Sequence, residues 1–390
     1  MAAKKILFLS AWYPTRLDPM PGLFVKRHAE ILTNSCQVAA LHAIQTNKQT
    51  VTYEIEKNYA NKVFTVIVYY PKTENTILLI SQLLKVWYFI RSYLIGIKEI
   101  RKHFGLPDLV HANILTRIGA IALYLKVRYS IPYVITEHWT RYTSERKAFK
   151  GFFRKMLAKL VVAKSSGISA VSENLKAAMK NYGINHRNFL IVNNIVYCEM
   201  FRPQDNILKD HPKVFAHISC FDNKAKNTNG IVKAIAALSK QRNDFLCLLV
   251  GEGPDKPDAE QLAKELGIFN KTVQFTGLLE GSDIIDVYNQ SLFTLLFSNY
   301  ENMPVVISES FACGKPVIST NVGGIPEIVN ESNGILISAG NENELTESIN
   351  YMLDNYTSYD AVQIRNYAIK QFGKEAVIKQ LTSLYQKVEQ

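Results

Sequence analysis

The feature that most constrains this chain is an alternation carried along its whole length: short apolar, β-branched runs separated by stretches of helical spacing. In the first half the runs are residues 6–10, 38–42, 63–69, 109–111, 133–136, 168–171 and 189–192. A second series follows at 214–218, 245–250, 273–275, 293–297, 316–320 and 335–337. Runs that are apolar on both faces suit parallel strands buried between two layers of helices, because each crossover returns over one face of the sheet. The length, 390 residues, exceeds what one ordinary core holds. The reading is an α/β chain of two Rossmann-like, doubly wound domains. The polar segment 197–212, which includes Pro203, puts the junction near residue 204, between domains 1–203 and 204–390. Ligands of such sheets bind at the carboxyl ends of the strands, so two sheets in tandem face each other across a cleft. Residues 361–388 carry Tyr367, Phe372, Ile378, Leu381 and Leu384 at helical spacing and predict a final helix.

Charge divides unevenly between the halves. Up to residue 205, 29 Lys and Arg stand against 12 Asp and Glu, a net +17; the remainder, 16 against 22, is −6, and together they make the +11 of the chain. A basic half calls for an anionic partner, whether nucleic acid, phosphorylated ligand or lipid surface, or it is simply a solvated face. Residues 77–100 are very apolar, but Lys85, Arg91, Lys98 and Glu99 interrupt them before any run reaches spanning length. Between Arg141 and Lys164, cations interleave with Phe149, Phe152, Phe153, Met156, Leu157 and Leu160. A basic amphipathic helix of this kind lies on an anionic bilayer, or it packs its stripe on its own domain's core; the sequence leaves both open. Lys4 and Lys5 lead into too short an apolar run for a signal peptide. Five scattered cysteines, never spaced as a pair of ligands, argue against a disulfide framework or zinc site and suit a reducing cytosol. The expected location is cytoplasmic, peripheral at the inner face of a membrane.

Residues 298–327 carry the chemistry. After the run at 293–297 the chain leaves the sheet at its carboxyl end. Asn302 suits a helix cap, Pro304 a first turn, and Gly314 with Pro316 ends the helix. A helix that starts there directs free N–H groups and the positive end of its dipole into the cleft, a ready site for a diphosphate. Glu301 precedes the helix and Glu309 lies in its second turn; each carboxylate can accept two hydrogen bonds from vicinal hydroxyls of a sugar or ribose. Gly323 and Gly324 let backbone approach a ligand where a Cβ would clash. Singly, these are capping acids and turn glycines; their ordered conjunction is the signal.

That conjunction resembles the signature of the retaining glycosyltransferases of family 4, whose fold is GT-B. The signature is two glutamates with seven residues between them (Glu301, Glu309), then Ala312-Cys313-Gly314-Lys315-Pro316-Val317, then Gly323-Gly324-Ile325-Pro326-Glu327. The resemblance continues in the strand-end turns at Gly251 and Gly277, in Ala170-Val171-Ser172 with Val192-Asn193-Asn194, in the loop ending at Gly22, and in Thr136-Glu137-His138. One departure stands out. Where the family has an Arg and then a Lys, Lys226 matches the Lys but Cys220 or Phe221 occupies the Arg position. Lys224 is the nearby cation, a point charge in place of a bidentate fork.

The resemblance implies a metal-independent, retaining transfer in which the acceptor oxygen approaches from the side the nucleotide leaves. The protein then stabilises a departing diphosphate and an oxocarbenium-like sugar. The implied diphosphate site is Lys226 with Lys224 in support, the stretch Asn302, Met303, Pro304, Val305 and Val306, the turns at Gly251 and Gly277, and Gly22 from the opposite domain. Glu309 would hold the ribose, and Glu301 with His138 the transferred sugar. His28, His42, His103, His111, His186, His211 and His217 read as structural or surface groups. No cofactor or metal is expected. The substrate is a nucleoside-diphosphate sugar, hexosyl or N-acetylhexosaminyl, with UDP and GDP both open. The acceptor class is a glycan or lipid-linked hydroxyl, and the last helix is expected to cross back onto the first domain. Two other readings are a nucleotide-sugar epimerase or phosphorylase of the same architecture, and a basic nucleic-acid- or membrane-binding module. The second gives the paired glutamates and glycines no role, so nucleic acid is not an expected partner.

Overall fold

The computed structural model describes residues 3–46, 53–72, 78–204 and 212–388. Two sheets organise them. The first contains β1 (Lys5–Ser10), β2 (Gln37–Thr46), β3 (Glu54–Ala60), β4 (Val63–Pro71), β5 (Leu109–Asn113), β6 (Tyr133–Glu137), β7 (Gly167–Ala170) and β8 (Phe189–Ile191) in the order β3-β4-β2-β1-β5-β6-β7-β8. The second contains β9 (Lys213–Ile218), β10 (Phe245–Val250), β11 (Val273–Gly277), β12 (Thr294–Leu296), β13 (Val317–Thr320) and β14 (Gly334–Ile337) in the order β11-β10-β9-β12-β13-β14. Both orders reverse beside the first strand of their sheet, the doubly wound pattern that places a crevice at the strands' carboxyl ends. His211 and part of the expected junction segment lie outside the described residues, at 205–211.

One strand departs from the all-parallel expectation. β3 pairs antiparallel with β4 through a two-residue turn at Asn61 and Lys62, both at positive φ (49° and 62°). Its sequence, EIEKNYA, has no apolar run, because an exposed edge strand packs nothing behind it. The final stretch also differs: it is two helices, Ala361–Phe372 and Lys374–Gln386, broken at Gly373.

The two lobes share packing. The largest core runs from Leu7 and Leu9 of β1 through Val196 and Phe201 to Met303, Ile307 and Phe311. The helix Lys374–Gln386 lies on the other face of the first sheet, where Val377, Leu381 and Leu384 pack with Ile6 and Phe8. Its Tyr385 hydroxyl hydrogen-bonds Nδ1 of buried His111 at 2.8 Å. Arg365, on the preceding helix, donates to the carbonyls of Cys198 and Phe201 (2.9 Å each) and of Ala312. One guanidinium thereby joins the end of the first lobe to a helix end in the second, where three orphan carbonyls meet their donors.

Candidate functional site

The helix at the centre of the sequence reading spans Val305–Ala312. Its N-cap is Pro304, in extended conformation (φ −69°, ψ 122°) and without a side-chain cap. Asn302 does not cap it. Instead, Asn302 Nδ2 donates to the His138 carbonyl of the first lobe at 2.6 Å. The reason is geometric: the helix opens later than the sequence suggested, leaving Asn302 outside the first turn and against the opposite lobe. Nearby, Asn194 Nδ2 donates to the Met303 carbonyl at 3.1 Å. Asn302, Met303 and Pro304 are buried, whereas Val305 and Val306 are half-buried. The first amides of a helix have no intrahelical partner; the Ile307 amide turns back to the Pro304 carbonyl at 3.2 Å, while those of Val305 and Val306, with no side-chain cap, form no hydrogen bond among the described residues beside the seam between the lobes.

The two glutamates occupy separate clusters. Glu301 Oε1 accepts from Lys226 Nζ and from Ser298 Oγ, the latter at 2.9 Å. Burial pulls the Lys226 ammonium's pKa down, but the charge and hydrogen bond of Glu301 outweigh it and the net shift is upward. Glu309, one helical turn in, accepts from Tyr288 Oη at 3.0 Å and from Arg27 Nη1 at 2.9 Å. Arg27 comes from the first lobe, on helix Leu23–Ile31, so this ion pair crosses the seam.

On the first-lobe side, His138 follows β6 and is buried, its pKa pushed well below the usual histidine range by desolvation and by nearby His28 and His111. Its Nε2 lies 3.3 Å from Asn113 Oδ1, and its Nδ1 is buried without a hydrogen-bond partner. The loop that carries it is held by Glu137, whose carboxylate accepts from the amides of Leu115 (3.0 Å), His138 (2.9 Å) and Trp139 (2.9 Å). The His138 ring rests 4.4 Å from Phe24, in the first turn of the helix that Gly22 opens. Gly22 has φ 75°, and a Cβ there would overlap the Trp12 carbonyl, so no other residue suits this sharp entry.

Other residues singled out in the sequence are placed differently. Lys224 is exposed, and its side chain forms no hydrogen bond or ion pair among the described residues. The Gly251 amide donates to the Gly277 carbonyl at 2.8 Å, stitching the ends of β10 and β11 together. Gly323 and Gly324 press against the chain itself: Cβ atoms there would overlap the carbonyls of Glu301 and Asn302, and Gly324 also abuts Ser172 of the first lobe. Their closeness is thus to the loop that presents Glu301, where a ligand had been expected. Cys220 is exposed, while Phe221 is fully buried, 6.0 Å from the Phe275 ring.

Sequence reasoning passed over Arg27 and did not assign Glu327. The Glu327 carboxylate accepts from the amides of Glu173 (2.9 Å) and Asn174 (2.7 Å), opening the first-lobe helix Glu173–Asn181. Ser172 accepts from Leu175 N at 3.1 Å at the same helix end. A second-lobe acid therefore caps a first-lobe helix. Nothing local marks Arg27, because its partner is 282 positions away.

Residues 201–371 match the family described as glycosyl transferases group 1, and residues 49–199 match glycosyltransferase family 4. The chain is 30% identical over 181 residues to an N-acetyl-alpha-D-glucosaminyl L-malate synthase of Bacillus anthracis, and the matched region spans about half of that relative, 46% of either chain. It is 24% identical to an uncharacterized glycosyltransferase of Methanocaldococcus jannaschii, over 91% of this chain and 90% of the other. Among solved structures, a sucrose-phosphate synthase from Thermosynechococcus elongatus superposes with a TM-score of 0.78 at 19% identity over 99% of both chains. HepE of Anabaena, in complex with UDP and glucose, superposes at 0.71 and 18% identity over 98% of this chain and 99% of the other. At such identities these structures establish the common GT-B fold.

Proposed function

The chain belongs to the glycosyl transferases of group 1, and from that premise we propose a retaining, metal-independent enzyme that moves a hexosyl or N-acetylhexosaminyl group from a nucleoside-diphosphate sugar to a hydroxyl. The observation that carries this reading is the pairing of an uncapped helix start with two buried acids, each already holding a cation, at the seam between the lobes.

The residues divide the work. Lys226 and the free amides at Val305 and Val306 take the charge that builds on the leaving diphosphate, with Lys224 in support from the exposed rim. Gly22 closes over the same group from the first lobe. Glu301, held by Lys226 and Ser298, turns to hydroxyls of the transferred sugar, and His138, neutral through burial, offers its partnerless Nδ1 as a hydrogen-bonding atom. Glu309 gives up Arg27 to the ribose hydroxyls. The released guanidinium then serves the diphosphate, in place of the arginine whose position Cys220 or Phe221 occupies. The acceptor is a glycan or lipid-linked hydroxyl presented from the first lobe, as in the class suggested by the chain's basic half.

The test is a thermal-shift and turnover screen against UDP- and GDP-sugars, with the anomeric configuration of the product read by NMR. A glycoside of retained configuration is expected. A rearranged sugar nucleotide, a sugar phosphate or an inverted product would refute the reading. Glu301→Gln is expected to lower kcat/KM on the order of a hundredfold or more while donor binding persists.

A further inference from the structure

Thirteen of the twenty-four exposed large apolar side chains among the described residues lie on three first-lobe helices: Leu78–His103, Thr116–Tyr129 and Phe152–Lys164. The three form one layer. Their inward residues Tyr93, Ile118 and Val161 share a core with Leu7 and Leu9, on the face of β1 opposite to helix Lys374–Gln386. Arg101 Nη1 donates to Tyr129 Oη (2.9 Å) across the first seam, and Lys126 Nζ to the Lys164 carbonyl (2.7 Å) across the second. At Gly119 the second seam is so close that a Cβ would meet Val161 Cγ1 at 2.5 Å.

The outer side of this layer is apolar as well. On the long helix, Leu83, Val86, Trp87, Ile90 and Leu94 recur at spacings of three and four and are 40–64% exposed. On Phe152–Lys164, Phe152 and Phe153 are 75% and 77% exposed, and Met156 is 54%. Helices of a water-facing layer normally show a single apolar stripe, so a second one needs an occupant. The charge identifies it. The three helices carry twelve Lys and Arg and a single acid, Glu99. A second copy of the same face would set those cations against each other, whereas an anionic surface complements them. No helix of the described residues is long and apolar enough to cross a membrane.

We infer that this layer is a docking face for an anionic bilayer, its apolar stripes entering the headgroup boundary and its cations meeting lipid phosphates. The basic segment between Arg141 and Lys164 contributes only its helical half. Arg141, Tyr142 and Phe149 are buried, and Arg146 stacks on Tyr300 of the second lobe with 4.9 Å to the ring centroid. On Phe152–Lys164 the stripe lies at the amino end, and on the long helix it runs through the amino half to just past the middle; the two helices follow β6 and β4 and so start at the cleft side of the sheet. The membrane thereby comes up beside the cleft mouth. The inference does not depend on which sugar, if any, is moved.

The test is flotation of the full chain with phosphatidylcholine vesicles and with vesicles containing phosphatidylglycerol, at low and high NaCl. Wild type is expected to float with anionic vesicles only and to be released by salt. The triple variant Trp87→Ser/Phe152→Ser/Phe153→Ser is expected to bind on the order of tenfold less, with an unchanged thermal midpoint and unchanged nucleoside-diphosphate binding. Three results would overturn the inference: wild type that floats with neither vesicle, flotation that the triple variant retains, or a dimer in solution that the variant splits without any flotation.

Discussion

At the residue scale, the Arg27–Glu309 pair makes the sharpest prediction. Arg27→Ala is expected to raise the donor KM on the order of tenfold or more, because a charge-assisted contact to the diphosphate is lost. Calorimetry should show nucleoside diphosphate weakened more than monophosphate. Adding Cys220→Arg should restore much of the loss by returning a guanidinium to the second lobe. Unchanged binding in Arg27→Ala would reduce this arginine to a tie between lobes. A second prediction concerns acid stability. Burial pushes the pKa values of His28, His42 and His217 down to about 4 and that of His111 to about 3. Below the ordinary value of 6.5 the unfolded chain binds protons that the folded chain refuses, so stability falls as pH drops from about 6.5 toward 4. Each such histidine adds a slope of about 1.4 kcal/mol per pH unit. Urea midpoints at pH 7 and 4.5 check this, the lower pH giving the lower midpoint. Glu301 and Glu309 were legible because a local motif carried them; Arg27 was not, since its role exists only once a distant helix is brought against it.

At the scale of elements, the cap that Glu327 supplies to helix Glu173–Asn181 deserves a mutation. Glu327→Ala should cost about 1 kcal/mol of stability, the usual worth of a helix cap, and should loosen the lobes, read as a larger radius of gyration in solution scattering. Gly324→Ala acts at the same seam, where its Cβ would press on the Asn302 carbonyl and on Ser172. It is expected to widen the lobes while leaving each sheet intact, which circular dichroism and scattering together would distinguish from unfolding. The buried strands were legible from their apolar runs, since burial on two faces leaves little choice of residue. β3 was not, because its polar residues are explained only by β4 beside it and the Asn61–Lys62 turn. The start of helix Val305–Ala312 was misplaced for a related reason: Asn302 has the chemistry of a cap, but the His138 carbonyl across the seam claims its amide. The break at Gly373 likewise left no gap in the helical spacing, although a Cβ there would overlap the Ile369 carbonyl.

At the scale of the whole molecule, the tandem arrangement followed from counting two series of strands, but the way the lobes meet did not. It rests on the core that the lobes share and on contacts between distant positions, among them Arg365 on three carbonyls and Tyr385 on His111. Ending the chain after Gly373 would strip Val377, Leu381 and Leu384 from Ile6 and Phe8, each lost side chain being worth about 1.5–3 kcal/mol of burial. Such a chain is expected to aggregate or to bind an apolar dye strongly, and Tyr385→Phe alone to cost about 1–3 kcal/mol by leaving His111 Nδ1 unpaired. The same helix sets an order of events during synthesis. As the ribosome works from the amino end, the first sheet emerges with one face covered only in part, by helix Leu23–Ile31, and must wait for the rest of its cover while the entire second lobe is translated. The half made earliest is the half finished last, so the strip that Val377, Leu381 and Leu384 will cover is the surface that chaperones have the longest time to hold.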